Sequence, residues 1–340
     1  MCIKNVVIAL VSLTLSGAVC HASPVLPFGV ASAYNLVALG TVDSFGQTVI
    51  AGNINDSSDI TGRIAAAGTI TGNLTIGSSL NSDPYGFAAT YGLVAAGGLG
   101  AGTQINMNGG GSAYAPGLNG SFNFNDGGHR VTSGPSGIDF NALRTQLDAL
   151  TLQLAGLSAN GLTPGLDHTG LGGGLNPSWY VLKGTDPTLN VFNISAATFA
   201  SNNNPIDIIA PVGSTIIVNV AGTNPTLGAA IYYNGTQHSG DDAADDHILF
   251  NFATATTVAL NAGFSGSVLS PFAILSGNGQ IDGNFIAAAI NSTGEVHNVE
   301  FAGTLPPGDS KSVVPEPGSM ALMGSGMLAL AGLVRRRIKS

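Results

Sequence analysis

The sequence predicts a mainly β chain: an irregular β-solenoid, β-helix-like, with one long amphipathic helix packed alongside. Three observations carry this. Of 340 residues, 49 are Gly and 16 Pro, far too many chain-punctuating residues for a helical bundle. Only 9% are charged while 44% are hydrophobic, which is the opposite of a disordered composition. Apolar pieces of three to six residues alternate with Gly, Asn, Asp and Ser, a rhythm of short strands and tight turns that suits a sandwich, a barrel or a stacked solenoid.

In chain order, the N-terminus is an address. Lys4, the apolar run 6–15 and Cys20-His21-Ala22 before Ser23 have the n-region, h-region and small-residue cleavage site of a secretory signal peptide, residues 1–22. A lipoprotein signal ending at Cys20 is the alternative, which Gly17-Ala18-Val19 approaches poorly. Cleavage by signal peptidase between Ala22 and Ser23 removes both cysteines, so the mature chain holds together without a disulfide.

From residue 32 to 76 the strand pieces are 35–39, 48–51, 60–66, 69–71 and 74–76. Gly marks the corners between them at 52, 62, 68 and 72, at intervals too irregular for a strict short repeat. Phe140, Leu143, Leu147, Leu150, Leu154 and Leu157 then follow 3-4-3-4-3 spacing, one stripe of a helix over about 138–159. Ser136 and Asp139 supply its start and Asn160-Gly161 its end, and the stripe is core packing against the β-body. The Gly-rich stretch 161–176 reads as a returning loop. After Trp179 the strand pieces resume and run to 301, so both flanks of the helix are β within one domain, residues 24–310.

The C-terminus is a second address. Val314-Pro315-Glu316-Pro317 precedes an apolar stretch, 319–334, which as a helix spans about 24 Å, and then Arg335, Arg336 and Arg337 within a basic end at 335–339. On hydropathy alone this is a membrane anchor with its basic end cytoplasmic. The ordered triple resembles the PEP-CTERM sorting signal, residues 314–340. That resemblance implies transient membrane anchorage, processing by an exosortase near Pro315-Glu316-Pro317, and delivery to the cell surface or extracellular matrix of a Gram-negative bacterium.

The body carries a resemblance of its own. Phe28-Gly29-Val30-Ala31, Tyr34-Asn35-Leu36-Val37 and 60–66 resemble the opening of the choice-of-anchor A domain. Asp245-Asp246-His247-Ile248-Leu249-Phe250-Asn251-Phe252, 266–271, 281–287 and Glu295-Val296-His297-Asn298 resemble its close. Ala67-Gly68-Thr69 departs from the Gly-Gly-Asn type of turn that is commoner there. The resemblance implies an extracellular adhesive protein with a β-solenoid and a helix alongside, broadly similar to bacterial ice-binding proteins.

Function classes narrow further. Between the basic ends, five Lys and Arg face nineteen Asp and Glu, a field that repels phosphate backbones and excludes nucleic acid as a partner. The chain has no P-loop, no His-Glu-x-x-His and no Gly-x-Ser-x-Gly, so no catalytic residues are assigned and no enzyme activity is expected. A polysaccharide-acting enzyme would need two carboxylates positioned in a cleft.

Asp241, Asp242, Asp245 and Asp246 form the densest charge cluster. It reads as a solvated acidic loop or as hard oxygen ligands for calcium, the one cofactor the sequence suggests. Asp282 and Asn284 form a weaker oxygen cluster, and Asp167-His168 are neighbours in sequence only. Ice binding needs a flat array of Thr-x-Thr, of which 69–71 and 254–256 are isolated pieces. The leading expectation is a secreted, exosortase-sorted, adhesive or structural surface protein of a biofilm matrix, with extracellular polysaccharide as its partner.

Overall fold

The computed structural model describes residues 26–80, 91–169, 175–200, 204–238 and 243–307. The signal-peptide and sorting-tail expectations, with Ala22, Ser23, 314–317 and 335–337, fall outside these residues. Among the described residues, no helix is long and apolar enough to cross a membrane.

The short strands pair in parallel and stack rung upon rung, as the glycine-punctuated pattern predicts. The longest ladder runs Arg130–Val131, Ala113–Tyr114, Leu93–Ala95, Ile64–Ala66, Leu36–Ala38, Phe285–Asn291, Ser267–Gly277, Ile248–Asn251, Thr215–Ala221 and Leu189–Ser195. A second runs Ser121–Phe124, Gln104–Met107, Asn73–Ile76, Asp59–Ile60, Val296–His297, Ile281–Asp282 and Phe264–Ser265. A third set branches from the first through Ile54–Asn55, Ile70–Thr71, Thr226–Leu227 and Thr257–Leu260. At one end a smaller sheet joins Leu162–Gly165, Tyr180–Lys183, Ile206–Ile209 and Ile231–Tyr233, with only its first pair antiparallel.

Each strand alternates inward and outward residues with period two. In the second ladder, Phe264, Ile281, Val296, Ile60, Ile76, Met107 and Phe124 stand in one register and line the main core along its whole length. The middle of the first ladder is covered on both faces and there reads as unbroken apolar runs: Leu36-Val37-Ala38, Ile64-Ala65-Ala66 and Leu93-Val94-Ala95 are buried throughout.

Its outer cover is the helix. Phe140–Ala155 buries Phe140, Leu143, Leu147, Thr151 and Leu154 against the outward side chains Val37, Val191, Ile217, Leu249 and Leu269. The helix is shorter than expected: Asp139 caps it alone, accepting from the Asn141 and Ala142 amides at 3.1 Å, and it stops at Gly156. Ser136 instead accepts from Ile138 N, one step outside the helix. Three stacked asparagines hold the last turn and the residues that follow it against the sheet. Asn251, Asn219 and Asn193 donate to the carbonyls of Thr151, Leu154 and Leu157 at 2.9, 2.9 and 3.3 Å.

Rung order departs from chain order. Leu36–Ala38 lies in the interior of the longest ladder, with Ile64–Ala66 on one side and the start of Phe285–Asn291 on the other. The chain starts in the middle, builds to Arg130–Val131, runs back along the helix, and rebuilds from Leu189–Ser195 to meet its own first strand. Ten strands about 4.8 Å apart span roughly 43 Å, of which the helix covers about 24 Å. At the closing seam Asn35 donates to the His297 carbonyl at 3.1 Å, while Asn284 donates to Tyr34 O at 2.9 Å and Glu300 Oε2 at 2.6 Å. Gly62 is required here, because a Cβ would collide with the Asn35 side-chain oxygen.

Several elements differ from the sequence reading. Residues 60–66 are two strands bent at Gly62, and 48–51 belongs to a small antiparallel hairpin off the stack, Thr41–Val42 with Thr48–Ile50. Five strands between 93 and 131 went unforeseen, as did Leu162–Gly165 inside the expected loop and a second short helix, Ala196–Ala200. The Gly- and Asn-rich rungs draw stability from neighbours on both sides more than from their own propensity.

Candidate functional site

The outward face of the second ladder carries polar residues in register, and it changes character along its length. At the end built by residues 59–125, Asp59, Thr75, Asn106 and Asn123 form one column and Asn73, Gln104 and Ser121 another. All but Thr75 are exposed. Amides bond from rung to rung: Asn123 donates to Asn106 Oδ1 at 3.3 Å and Asn125 to Asn108 Oδ1 at 2.7 Å. Beneath them Phe122 and Phe124 stack at 5.1 Å, and the Arg130 guanidinium lies 5.2 Å from the Phe122 ring centre.

At the other end the same face is covered. Ser265, Asp282 and His297 stand in register on three successive rungs and are 4%, 3% and 7% exposed. Residues 236–238 and 243–247 lie over them. Ser265 Oγ donates to the His238 carbonyl at 2.8 Å and stands 3.4 Å from Asp282 Oδ2. The His297 ring pairs with Asp282 Oδ1 through Nδ1, and its Nε2 lies 3.6 Å from the half-exposed Glu295 carboxylate.

Asp245, in the turn Ala243–Asp245, faces this column from the covering segment. Burial pushes its carboxyl up to about 7; the Ser265 hydroxyl opposes the rise, the Asp282 charge adds to it and His238 opposes it. Ser265 directs its proton to the His238 carbonyl, and no well-aligned hydrogen bond reaches either Asp245 oxygen.

Of the four aspartates singled out by sequence, the two among the described residues face different partners. Asp245 turns to Ser265 and Asp282, whereas Asp246 pairs with His247, its carboxyl raised by burial and lowered by that histidine. Asp241 and Asp242 lie outside the described residues. Among the described residues, no group of three or more His, Cys, Asp or Glu converges as a metal-ligand set.

The other flagged residues separate too. Asn284 serves the seam, while Asp282 joins the buried column. Asp167 accepts from the Thr169 amide, and His168 meets the Trp179 carbonyl at 2.9 Å. Thr69 accompanies the rung Ile70–Thr71, Thr254 accepts from the Gly222 amide and Thr256 donates to the Thr223 carbonyl just before the rung Thr257–Leu260, and Ile274, Ala289 and Asn53 lie between the two rungs, so these pieces form no continuous threonine array. Sequence reasoning missed Ser265 as a neighbour of Asp245 and His297 as the partner of Asp282, since only rung register aligns Ser265, Asp282 and His297.

Residues 27–298 match the family model described as "Putative Ice-binding-like adhesive domain". The chain belongs to this family. Residues 313–337 match the PEP-CTERM protein-sorting motif. The family is one of adhesive and ice-binding-like domains, not of enzymes.

Among solved structures, the chain is similar to three ice-binding proteins. One from an Antarctic biological consortium is 12% identical, covering 81% of this chain and 95% of that one, at a TM-score of 0.36. That of the ascomycete Antarctomyces psychrotrophicus is 11% identical, covering 82% and 98%, at 0.34. The glycosylated protein of an Arctic yeast is 14% identical, covering 86% and 99%, at 0.31. No curated protein matches the chain.

Proposed function

We propose that this is an exosortase-sorted surface protein whose irregular β-solenoid domain adheres to extracellular polysaccharide through the exposed amide columns of the second ladder. The observation that carries the reading is the column pair Asp59, Thr75, Asn106, Asn123 and Asn73, Gln104, Ser121. Rungs about 4.8 Å apart present donors and acceptors in rows, with a single carboxylate among them. Such a surface suits a polar polymer lying along the stack, whose many weak hydrogen bonds add through multivalency. The family match and the sorting motif support delivery to the surface. A signal peptidase at Ala22-Ser23 and an exosortase near Pro315-Glu316-Pro317 are the processing partners of this reading, with transient membrane contact through 319–334.

Co-sedimentation of the purified protein with the producing organism's own exopolysaccharide tests it. Binding by the wild type, weakened severalfold in Asn106→Ala/Asn123→Ala, is the expected result. Equal sedimentation of the two proteins would remove the amide columns from the reading. Thermal hysteresis or ice shaping by the same sample, without polysaccharide binding, would replace adhesion with ice binding.

A further inference from the structure

The covered end of the second ladder gathers oxygens around a carboxylate that no well-aligned hydrogen bond reaches. Asp245 is 1% exposed and both its carboxylate oxygens are without hydrogen bonds. A buried carboxylate without a hydrogen bond is among the least stable groups a fold can hold, and the charge of Asp282, itself paired with His297, acts on it. Ser265 Oγ neighbours Asp245 and stands 2.8 Å from the His238 carbonyl and 3.4 Å from Asp282 Oδ2, and the Asp282 charge and the His238 ring both act on Asp245. All four groups offer oxygen. The imidazole of His297 holds the other oxygen of Asp282 and so fixes which one faces inward.

We propose that this is a binding site for one calcium ion, held by the Asp245 carboxylate, Asp282 Oδ2, Ser265 Oγ and the His238 carbonyl. Calcium takes six to eight oxygens at about 2.3–2.6 Å, so two ligands at right angles sit roughly 3.4 Å apart. The Ser265 to Asp282 separation already has that value. Two carboxylates match the ion's charge, and a bidentate Asp245 with water completes the shell. The ion ties the covering segment to two rungs of the sheet. The site draws one residue from the acidic run and the rest from outside it. It stands independently of the polysaccharide reading.

Calcium titration of chelator-treated full-length protein at neutral pH, followed by calorimetry and by thermal melting, tests the site. The wild type binds one ion at a Kd of about 10⁻⁴–10⁻³ M, the range of extracellular modules, and melts about 2–4 °C higher in saturating calcium. Asp245→Asn and Asp282→Asn each weaken binding at least tenfold and lose the melting shift, while Asp246→Asn and Asp241→Asn/Asp242→Asn keep both. Asp245→Asn melts no lower than the wild type in chelator, which separates lost binding from lost folding. Absence of wild-type binding at about 10 mM calcium, ten times the weakest expected Kd, overturns the proposal. Retention of binding in Asp245→Asn and Asp282→Asn, or its loss only in Asp241→Asn/Asp242→Asn, does so equally.

Discussion

Asn108 and Asn125 at one end of the second ladder, and Ser265, Asp282 and His297 at the other, occupy the same outward column, each one residue past the shared core column. Their backbone settings match, yet one set is neutral and solvated and the other is buried and carries ionisable groups. The contrast teaches that burial assigns the work of a rung. Where water reaches the column, amides satisfy each other and present the remainder outward. Where a segment folds over it, every charge needs a partner and the proton or ion it holds becomes part of the stability of the fold.

The largest expected effect is at the covered end. In calcium-free solution, native Asp245 holds its proton up to about pH 7 while the unfolded chain releases it near 3.8. The native state therefore binds more protons between these values. Its contribution is fully present below pH 4 and is lost as pH rises to 7, roughly 4 kcal/mol in all, with no further slope above. Denaturant melts across pH, compared with Asp245→Asn, check this: the variant should lack that slope. Asp282→Ala is expected to cost about 3 kcal/mol by leaving the buried His297 ring without its carboxylate, read as a shift of urea midpoint. Asn251→Ala, which strips the Thr151 carbonyl and hydroxyl of partners under the helix, is expected to cost about 1–2 kcal/mol. At the open end, Asn106→Ala changes stability by less than about 0.5 kcal/mol, so any loss of polysaccharide binding there is a surface effect. A large destabilisation by Asn106→Ala would break the contrast between the ends.

How much of this was legible differs by element. The helix was, because six apolar residues at 3-4 spacing leave no other structure for them, although its last turn and the residues that follow it are held by Asn193, Asn219 and Asn251, which lie far along the chain. The mainly β class was legible from glycine corners such as Gly62. The rungs Gln104–Met107 and Ser121–Phe124 were not, since four alternating residues become a strand only when stacked. The acidic run was visible as charge, but nothing local ties Asp245 to Asp282. That neighbour relation exists only once Phe264, Ile281 and Val296 stack in register.

Placing the first strand between Ile64–Ala66 and Phe285–Asn291 has a consequence for biogenesis. A chain threaded outward from its N-terminus delivers Leu36–Ala38 early, yet one edge of that strand stays open until about 250 further residues have crossed. Completion of the stack is thus a report on the completeness of the polypeptide. Any product truncated before Phe285 carries an unsatisfied sheet edge, the mark by which proteases of the exporting compartment would distinguish an unfinished molecule from a finished one.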